Sequence, residues 1–145
     1  MSHLVFVFGT LKEGFPNFGS NVGVRVPGHF ETVKRYPLHL VGERHSPWMV
    51  NAPGSGEHVI GQVFNVDANA LQKMDYLERV TEEDGYQRIV IKVRSCAAAQ
   101  SPEQEVFAYL KHPKHLSTAA IMCGPLKEYS LDHAAQYRSR SAPRD

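Results

Sequence analysis

Short apolar runs, each closed by glycine, proline or polar residues, dominate the hydrophobic pattern of this sequence. In the clearest run, Ile89, Ile91 and Val93 alternate with Arg88 and Lys92. A period of two is typical of a β-strand that is buried on one face. Turns rich in glycine and proline separate the runs, as in a chain that reverses direction repeatedly. The predicted strands are residues 4–8, extended pieces within 24–41, and residues 59–66, 87–94 and 105–110.

One segment shows a strong helical period. Asp67 suits an N-cap, because its carboxylate can accept hydrogen bonds from the free amides of a first helical turn. Apolar residues then recur at spacings of three and four, which predicts a helix that runs to about residue 79. This apolar stripe comprises Ala70, Leu71, Met74 and Leu77. A second, short helix is expected at about residues 118–122.

Strands therefore outnumber helices, and neither an internal repeat nor a linker interrupts them. These elements predict an α+β fold with a mostly antiparallel sheet that can close on itself. We expect residues 1–135 to form a single domain. The end of the chain is polar and weakly patterned, so residues 136–145 are expected to form a flexible tail.

Composition and charge narrow the possible functions. The chain has 145 residues, of which 42% are hydrophobic and 21% charged, as in an ordinary globular domain. Its 16 basic and 15 acidic residues leave a formal charge of +1, which gives no electrostatic case for nucleic acid. No apolar run approaches the roughly 18 residues that span a membrane. The N-terminus predicts a strand and no signal peptide, so we expect a cytoplasmic protein.

Glu78 is the most informative candidate for chemistry. It lies four residues after Met74 and seven after Leu71, on the apolar stripe of the predicted helix. Burial and the negative end of the helix dipole would both raise the pKa of this carboxyl toward a range useful for proton transfer. Alternatively, the helix ends a turn earlier and Glu78 faces solvent. Asp75, at the edge of the stripe, is either a second candidate acid or the partner of Arg79 or Arg88.

The turn after the first strand is the second candidate. It contains Phe8, Gly9, Thr10 and Leu11. A glycine at the end of a strand lets a ligand approach the backbone, and successive amide N–H groups can cradle a carboxylate or an oxyanion. The alternative is an ordinary glycine that ends a strand. Neither the cysteines nor the histidines have a spacing that indicates a metal site.

Together, these residues resemble a known family. Residues 5–17 (VFVFGTLKEGFPN) resemble the opening of γ-glutamylamine cyclotransferases and their AIG2-like relatives, in which a strand leads into Tyr-Gly-Thr-Leu-Lys. Tyr86 follows the later blocks at nearly the spacing of the family. The resemblance covers roughly residues 4–94. The four further blocks, in the order of the family, are residues 35–38 (RYPL), 47–56, 61–67 (GQVFNVD) and 74–78 (MDYLE).

The resemblance implies a small, mostly antiparallel β-barrel flanked by helices. It places Glu78 on the catalytic glutamate of the family and residues 8–11 on the turn that binds substrate, with Tyr86 beside them as a hydroxyl or a wall. Two departures stand out. Phe8 replaces the usual tyrosine, and the stretch 79–85 is about two residues longer than in close relatives, which leaves the leaving group open.

The reaction that the resemblance implies is the cyclisation of a γ-glutamylamine, such as γ-glutamyl-ε-lysine, to 5-oxoproline and a free amine. The substrate's own amine is the nucleophile, so neither a metal nor an organic cofactor is needed. We expect a monomer that acts on a small molecule and binds neither nucleic acid nor membrane. The rival interpretations are a cyclotransferase for γ-glutamyl amino acids and a binding module of the same fold without catalysis.

Overall fold

A computed structural model describes residues 3–97 and 100–138 of the chain. In this part the chain forms nine strands, two α-helices and two short 3₁₀ helices, at Phe18–Ser20 and Pro113–Thr118. The strands are β1 (His3–Val7), β2 (Val24–Arg25), β3 (Phe30–Thr32), β4 (Leu38–Val41), β5 (Ser46–Met49), β6 (Ile60–Val66), β7 (Gln87–Ser95), β8 (Gln104–Leu110) and β9 (Ile121–Cys123). The helices are α1 (Ala68–Leu77) and α2 (Leu131–Ala134).

Five of the strands close into a barrel. Its order is β1-β8-β7-β3-β6, and β6 returns to pair with β1, while the short β2 pairs with β6 on the edge that β3 also uses. Val5 of β1 lies opposite Phe64 of β6 and opposite Phe107 of β8. Only the β1–β8 pair is parallel among the pairings of the named strands. The predicted α+β fold with a mostly antiparallel β-barrel flanked by helices is thus confirmed.

β1 explains why the first apolar run lacks alternation. Successive side chains of a strand point to opposite faces, and both faces of β1 are covered. Phe6 joins the cluster that fills the barrel, together with Val63 and Ala108. Val5 and Val7 belong to a second cluster, which packs beneath α1. Val5, Phe6 and Val7 are all apolar because both faces of this part of the strand are buried.

A smaller sheet stands beside the barrel. Its order is β5-β4-β9, and Val50 continues it by forming a parallel bridge to Lys111 at the end of β8. The start of β5 lies against the turn after β1, because Pro47 is next to Gly9. This arrangement sets one wall of the cleft described below.

The predicted second helix is wrong. Residues 118–122 hold the end of a 3₁₀ helix that starts at Pro113 and the start of β9. β9 pairs with β4, with Cys123 opposite Leu40. This pairing with a strand about 80 residues earlier overrides the local pattern. The second α-helix is α2, which is too short to show a hydrophobic period.

The predicted tail divides into two parts. Residues 136–138 pack against the rest of the chain through backbone hydrogen bonds, including one from the Arg138 N–H to the Arg44 carbonyl oxygen (2.9 Å). Residues 139–145 lie outside the described residues. Within the described part, no helix is long and apolar enough to cross a membrane.

Candidate active site

A cleft of about 750 Å³ opens where α1 ends, beside the turn after β1 and the start of β5. Its floor is apolar and buried, with Phe6, Val7 and Tyr109 among its residues. The six residues predicted from the sequence all line this one cleft. They are Phe8, Gly9, Thr10, Leu11, Glu78 and Tyr86.

Hydrogen bonds shape the turn after β1 and engage its carbonyl groups. The Lys12 N–H donates to the Gly9 carbonyl (3.1 Å), and the Asn17 N–H donates to the Thr10 carbonyl (2.8 Å). Asn21 Nδ2 donates to the Leu11 carbonyl (3.0 Å). By contrast, the amide N–H groups of Thr10 and Leu11 donate to no acceptor in the described residues. The turn therefore offers donors to a ligand while its acceptors are already occupied.

Gly9 is required for a reason that the sequence does not reveal. Its φ lies outside the left-handed region, so the turn does not depend on the conformational freedom of glycine. A Cβ added at this position would lie 2.7 Å from Cγ of Pro47. The missing side chain thus lets Pro47 of β5 pack directly on the turn.

Tyr86 supports this contact from behind. Its buried hydroxyl donates to the Pro47 carbonyl oxygen (3.0 Å) and lies 3.5 Å from the Ser46 hydroxyl. The Lys111 ammonium lies 4.7 Å from the centre of the Tyr86 ring and 4.5 Å from that of Trp48. Tyr86 therefore braces the strand that carries Pro47, while its ring lines the cleft.

Glu78 occupies the C-cap of α1. The apolar stripe is confirmed at Ala70, Leu71 and Met74, which are buried, but Leu77 is 37% exposed. The helix ends at Leu77, and the Glu78 N–H still donates to the Met74 carbonyl (2.9 Å). Glu78 is half-buried and lines the cleft. The position is therefore partly shielded from water, as the helical phase predicts.

The chain leaves α1 through a Schellman-type cap. The Arg79 N–H donates to the Tyr76 carbonyl (3.1 Å), and the Val80 N–H donates to the Asp75 carbonyl (3.2 Å). Arg79 holds the left-handed conformation, with φ of 57°, where glycine is the usual residue. Gly85 packs on the same residue, since a Cβ at Gly85 would lie 1.7 Å from the Arg79 carbonyl oxygen.

The contacts of Asp75 favour the second of its two interpretations, in which it is the partner of an arginine. Its carboxylate accepts hydrogen bonds from Arg88 Nη1 (2.7 Å) and from the Tyr109 hydroxyl (2.6 Å). Arg79 pairs instead with Asp84, at 3.2 Å. Burial raises the pKa of Tyr109 above its usual range, and the nearby carboxylates of Asp75 and Glu78 raise it further. The phenol therefore stays protonated as the donor in this network.

Several residues of the cleft were not predicted. Tyr109 belongs to a regular strand and has the pattern of a core residue, so no local signal separates it from its neighbours. Asn17 and Arg44 come from loops, and Tyr137 comes from the predicted tail. In the described residues, no group of three or more His, Cys, Asp or Glu side chains is placed to hold a metal ion.

The fold and site define a class of small barrel proteins in which a helix-end carboxylate and a strand-end turn share one cleft. The family model described as γ-glutamyl cyclotransferase, AIG2-like, matches residues 5–130, and the chain belongs to this family. The match extends well beyond residue 94, where the resemblance was expected to fade. It covers α1, β7 and β8, and ends just before α2.

Named relatives agree with the family. γ-Glutamylaminecyclotransferase B of Danio rerio is 38% identical over 114 residues, which cover 74% of this chain and 59% of that protein. The γ-glutamylaminecyclotransferase of Homo sapiens is 38% identical over 96 residues, covering 63% and 61%. The chain thus spans about three-fifths of the length of these relatives. The crystal structure of an AIG2-like protein from Mus musculus superposes with a TM-score of 0.80 at 27% identity, over 98% of this chain and 99% of that one.

Proposed function

We propose that the chain is a γ-glutamylamine cyclotransferase, which converts a γ-glutamylamine to 5-oxoproline and a free amine. One observation carries the proposal: Glu78 lines the same cleft as the turn after β1, where the Thr10 and Leu11 amides donate to no acceptor among the described residues. The names of the relatives support the substrate class. The substrate that we propose first is γ-glutamyl-ε-lysine.

The reaction is an intramolecular acyl transfer. The α-nitrogen of the glutamyl group attacks its own γ-carbonyl carbon, a new C–N bond closes the five-membered ring, and the C–N bond to the leaving amine breaks. Because both reacting groups belong to one molecule, holding the glutamyl chain in a folded rotamer supplies much of the rate. The protein needs no nucleophile of its own.

Glu78 is proposed to move the protons. The α-ammonium loses two protons on its way to the lactam nitrogen, and the leaving nitrogen gains two as it departs as an ammonium. A single carboxylate near both nitrogens can accept each proton and pass it on, so the cycle needs no outside acid or base. Glu78 is suited to this because it is partly shielded and fixed at the end of a helix.

The turn after β1 is proposed to bind the negatively charged oxygens of the substrate and of the reaction intermediate. The amides of Thr10 and Leu11 can donate to the substrate carboxylate or to the oxygen that becomes negative when the γ-carbonyl is attacked. This role belongs to the backbone, so it is compatible with Phe8 in place of a tyrosine. Tyr86 serves as a wall, because its hydroxyl is already bonded to Pro47.

A panel of substrates tests the function. Purified protein is incubated with γ-glutamyl-ε-lysine and, in parallel, with γ-glutamyl α-amino acids, and 5-oxoproline is measured with and without EDTA. We expect the highest kcat/KM for γ-glutamyl-ε-lysine and no effect of EDTA. A preference for γ-glutamyl α-amino acids would assign the chain to that related activity. No product from any substrate would point to a binding module without catalysis.

A further inference from the structure

Three separate parts of the chain form the rim of the cleft, with residues that are partly or fully exposed. The loop after α1 contributes Arg79 and Glu82, the connection between β4 and β5 contributes Arg44, and the C-terminal segment contributes Tyr137. Tyr137 lies seven residues beyond the region that the family model matches. The wall that it forms is therefore not part of the matched family pattern.

The C-terminal segment is hydrogen-bonded to the β4–β5 connection and to the loop after β1. The Arg138 N–H donates to the Arg44 carbonyl oxygen (2.9 Å). Asn17 Nδ2 donates to the Tyr137 hydroxyl oxygen (3.2 Å) and also to Oγ1 of Thr10 (2.9 Å). Tyr137 is thus connected through one amide group to the turn that we propose binds substrate.

The start of the segment is fixed as well. Ser130 caps α2 by accepting from the His133 N–H, while His133 Nδ1 accepts from the Ser130 N–H. The Tyr137 N–H then donates to the Ala134 carbonyl (3.1 Å). Just before α2, the buried Tyr129 accepts a hydrogen bond from the Lys12 ammonium through its carbonyl oxygen. The position of the Tyr137 ring is therefore defined from two directions.

We infer that Tyr137 is a specificity-determining residue that limits the size of the leaving amine. This inference rests on the proposed function. The glutamyl part is common to all substrates and reacts beside Glu78 and the turn, so the leaving amine must extend from the buried floor toward the exposed rim. A half-buried aromatic ring on that rim restricts the space available to it.

Two substitutions distinguish the effect of the Tyr137 ring from that of its hydroxyl. Tyr137→Ala removes the wall, whereas Tyr137→Phe keeps the wall and loses the contact with Asn17. Leu131→Ala is the matched control, because Leu131 lies on α2, is 63% exposed and does not line the cleft. Each protein is assayed for 5-oxoproline release from γ-glutamylamines whose leaving groups increase in size from methylamine to a branched or aromatic amine.

We expect Tyr137→Ala to raise kcat/KM for the largest amine relative to methylamine by about tenfold, the discrimination typical of a hydrophobic wall, through a lower KM. Tyr137→Phe and Leu131→Ala should keep the size profile of the wild type. An unchanged profile in Tyr137→Ala, or an equal loss for every amine with a lower melting temperature, would overturn the inference while leaving the proposed function intact. No product from any amine with the wild type would instead overturn the proposed function, and this inference with it.

Discussion

The backbone N–H of Tyr86 donates to the carbonyl oxygen of Glu78 at 3.0 Å, so the loop between these two residues is closed by its own ends. The stretch 79–85 therefore does not separate the two positions. Inside the loop, the Glu82 N–H donates to Arg79 and the Gly85 N–H donates to Glu82. The proposed acid–base residue thus depends on a compact loop for its position.

A substitution at Gly85 tests whether this loop is closely packed. We expect Gly85→Ala to lower the free energy of unfolding by at least about 2 kcal/mol, because its Cβ would overlap the Arg79 backbone. Neither backbone segment can move away without opening the loop. Gly19→Ala is the control, since nothing lies within 4 Å of a Cβ there. Urea unfolding of the two variants and the wild type measures the effect. Equal stability of all three would show that the loop is not packed in this way.

At Arg79, in contrast to Gly85, the backbone conformation itself favours glycine over alanine. A residue with a Cβ in the left-handed conformation costs roughly 1 kcal/mol, and glycine avoids this cost. We expect Arg79→Gly to be more stable than Arg79→Ala by about 1 kcal/mol, because both variants lose the ion pair with Asp84 and only one keeps the backbone strain. Thermal and urea unfolding measure the difference. If alanine proves as stable as glycine, Arg79 does not adopt the left-handed conformation in solution.

Lys12 predicts a pH dependence of stability. Burial lowers the pKa of its ammonium from 10.5 to about 8, with Arg25 adding to the decrease and Glu128 opposing it. Between pH 8 and 10.5 the unfolded chain holds a proton that the folded chain has lost. The contribution of this group to the free energy of unfolding therefore increases as pH rises.

Lys12→Met isolates this contribution, because other titrating groups cancel in the comparison with the wild type. From pH 7 to pH 10, we expect the wild type to gain stability relative to Lys12→Met by up to about 2 kcal/mol. Urea unfolding at both pH values is the measurement. A constant difference between the two proteins would mean that the Lys12 ammonium is not perturbed by burial.

Local pattern was sufficient for much of the fold, and it made Glu78 a candidate that the resemblance to the family then favoured. The period of two predicted the long strands, and the spacing of Glu78 from Met74 made it a candidate for the buried side of α1. Glu78 is half-buried at the C-cap of this helix and lines the cleft. These inferences succeed because strands and helices impose their own periods on the residues that they bury.

Other features depend on contacts between distant parts of the chain. β9 forms because β4 offers it an edge, and Gly9 is needed because Pro47 packs on it. Tyr137 lines the cleft because its segment folds back onto Arg44, whose carbonyl oxygen accepts from the Arg138 N–H. None of these contacts leaves a local pattern in the sequence, so periodicity and turn chemistry had no means of predicting them.

The most direct test of the account compares Glu78→Gln with Glu82→Gln, a second carboxylate on the same cleft that is exposed at its rim. Release of 5-oxoproline from γ-glutamyl-ε-lysine and binding of that substrate are measured for both variants and the wild type. The account predicts that Glu78→Gln binds substrate and folds like the wild type but loses at least about 10³-fold in kcat, while Glu82→Gln retains kcat within about tenfold. Turnover by Glu78→Gln close to that of the wild type would contradict the central claim that this carboxylate transfers the protons.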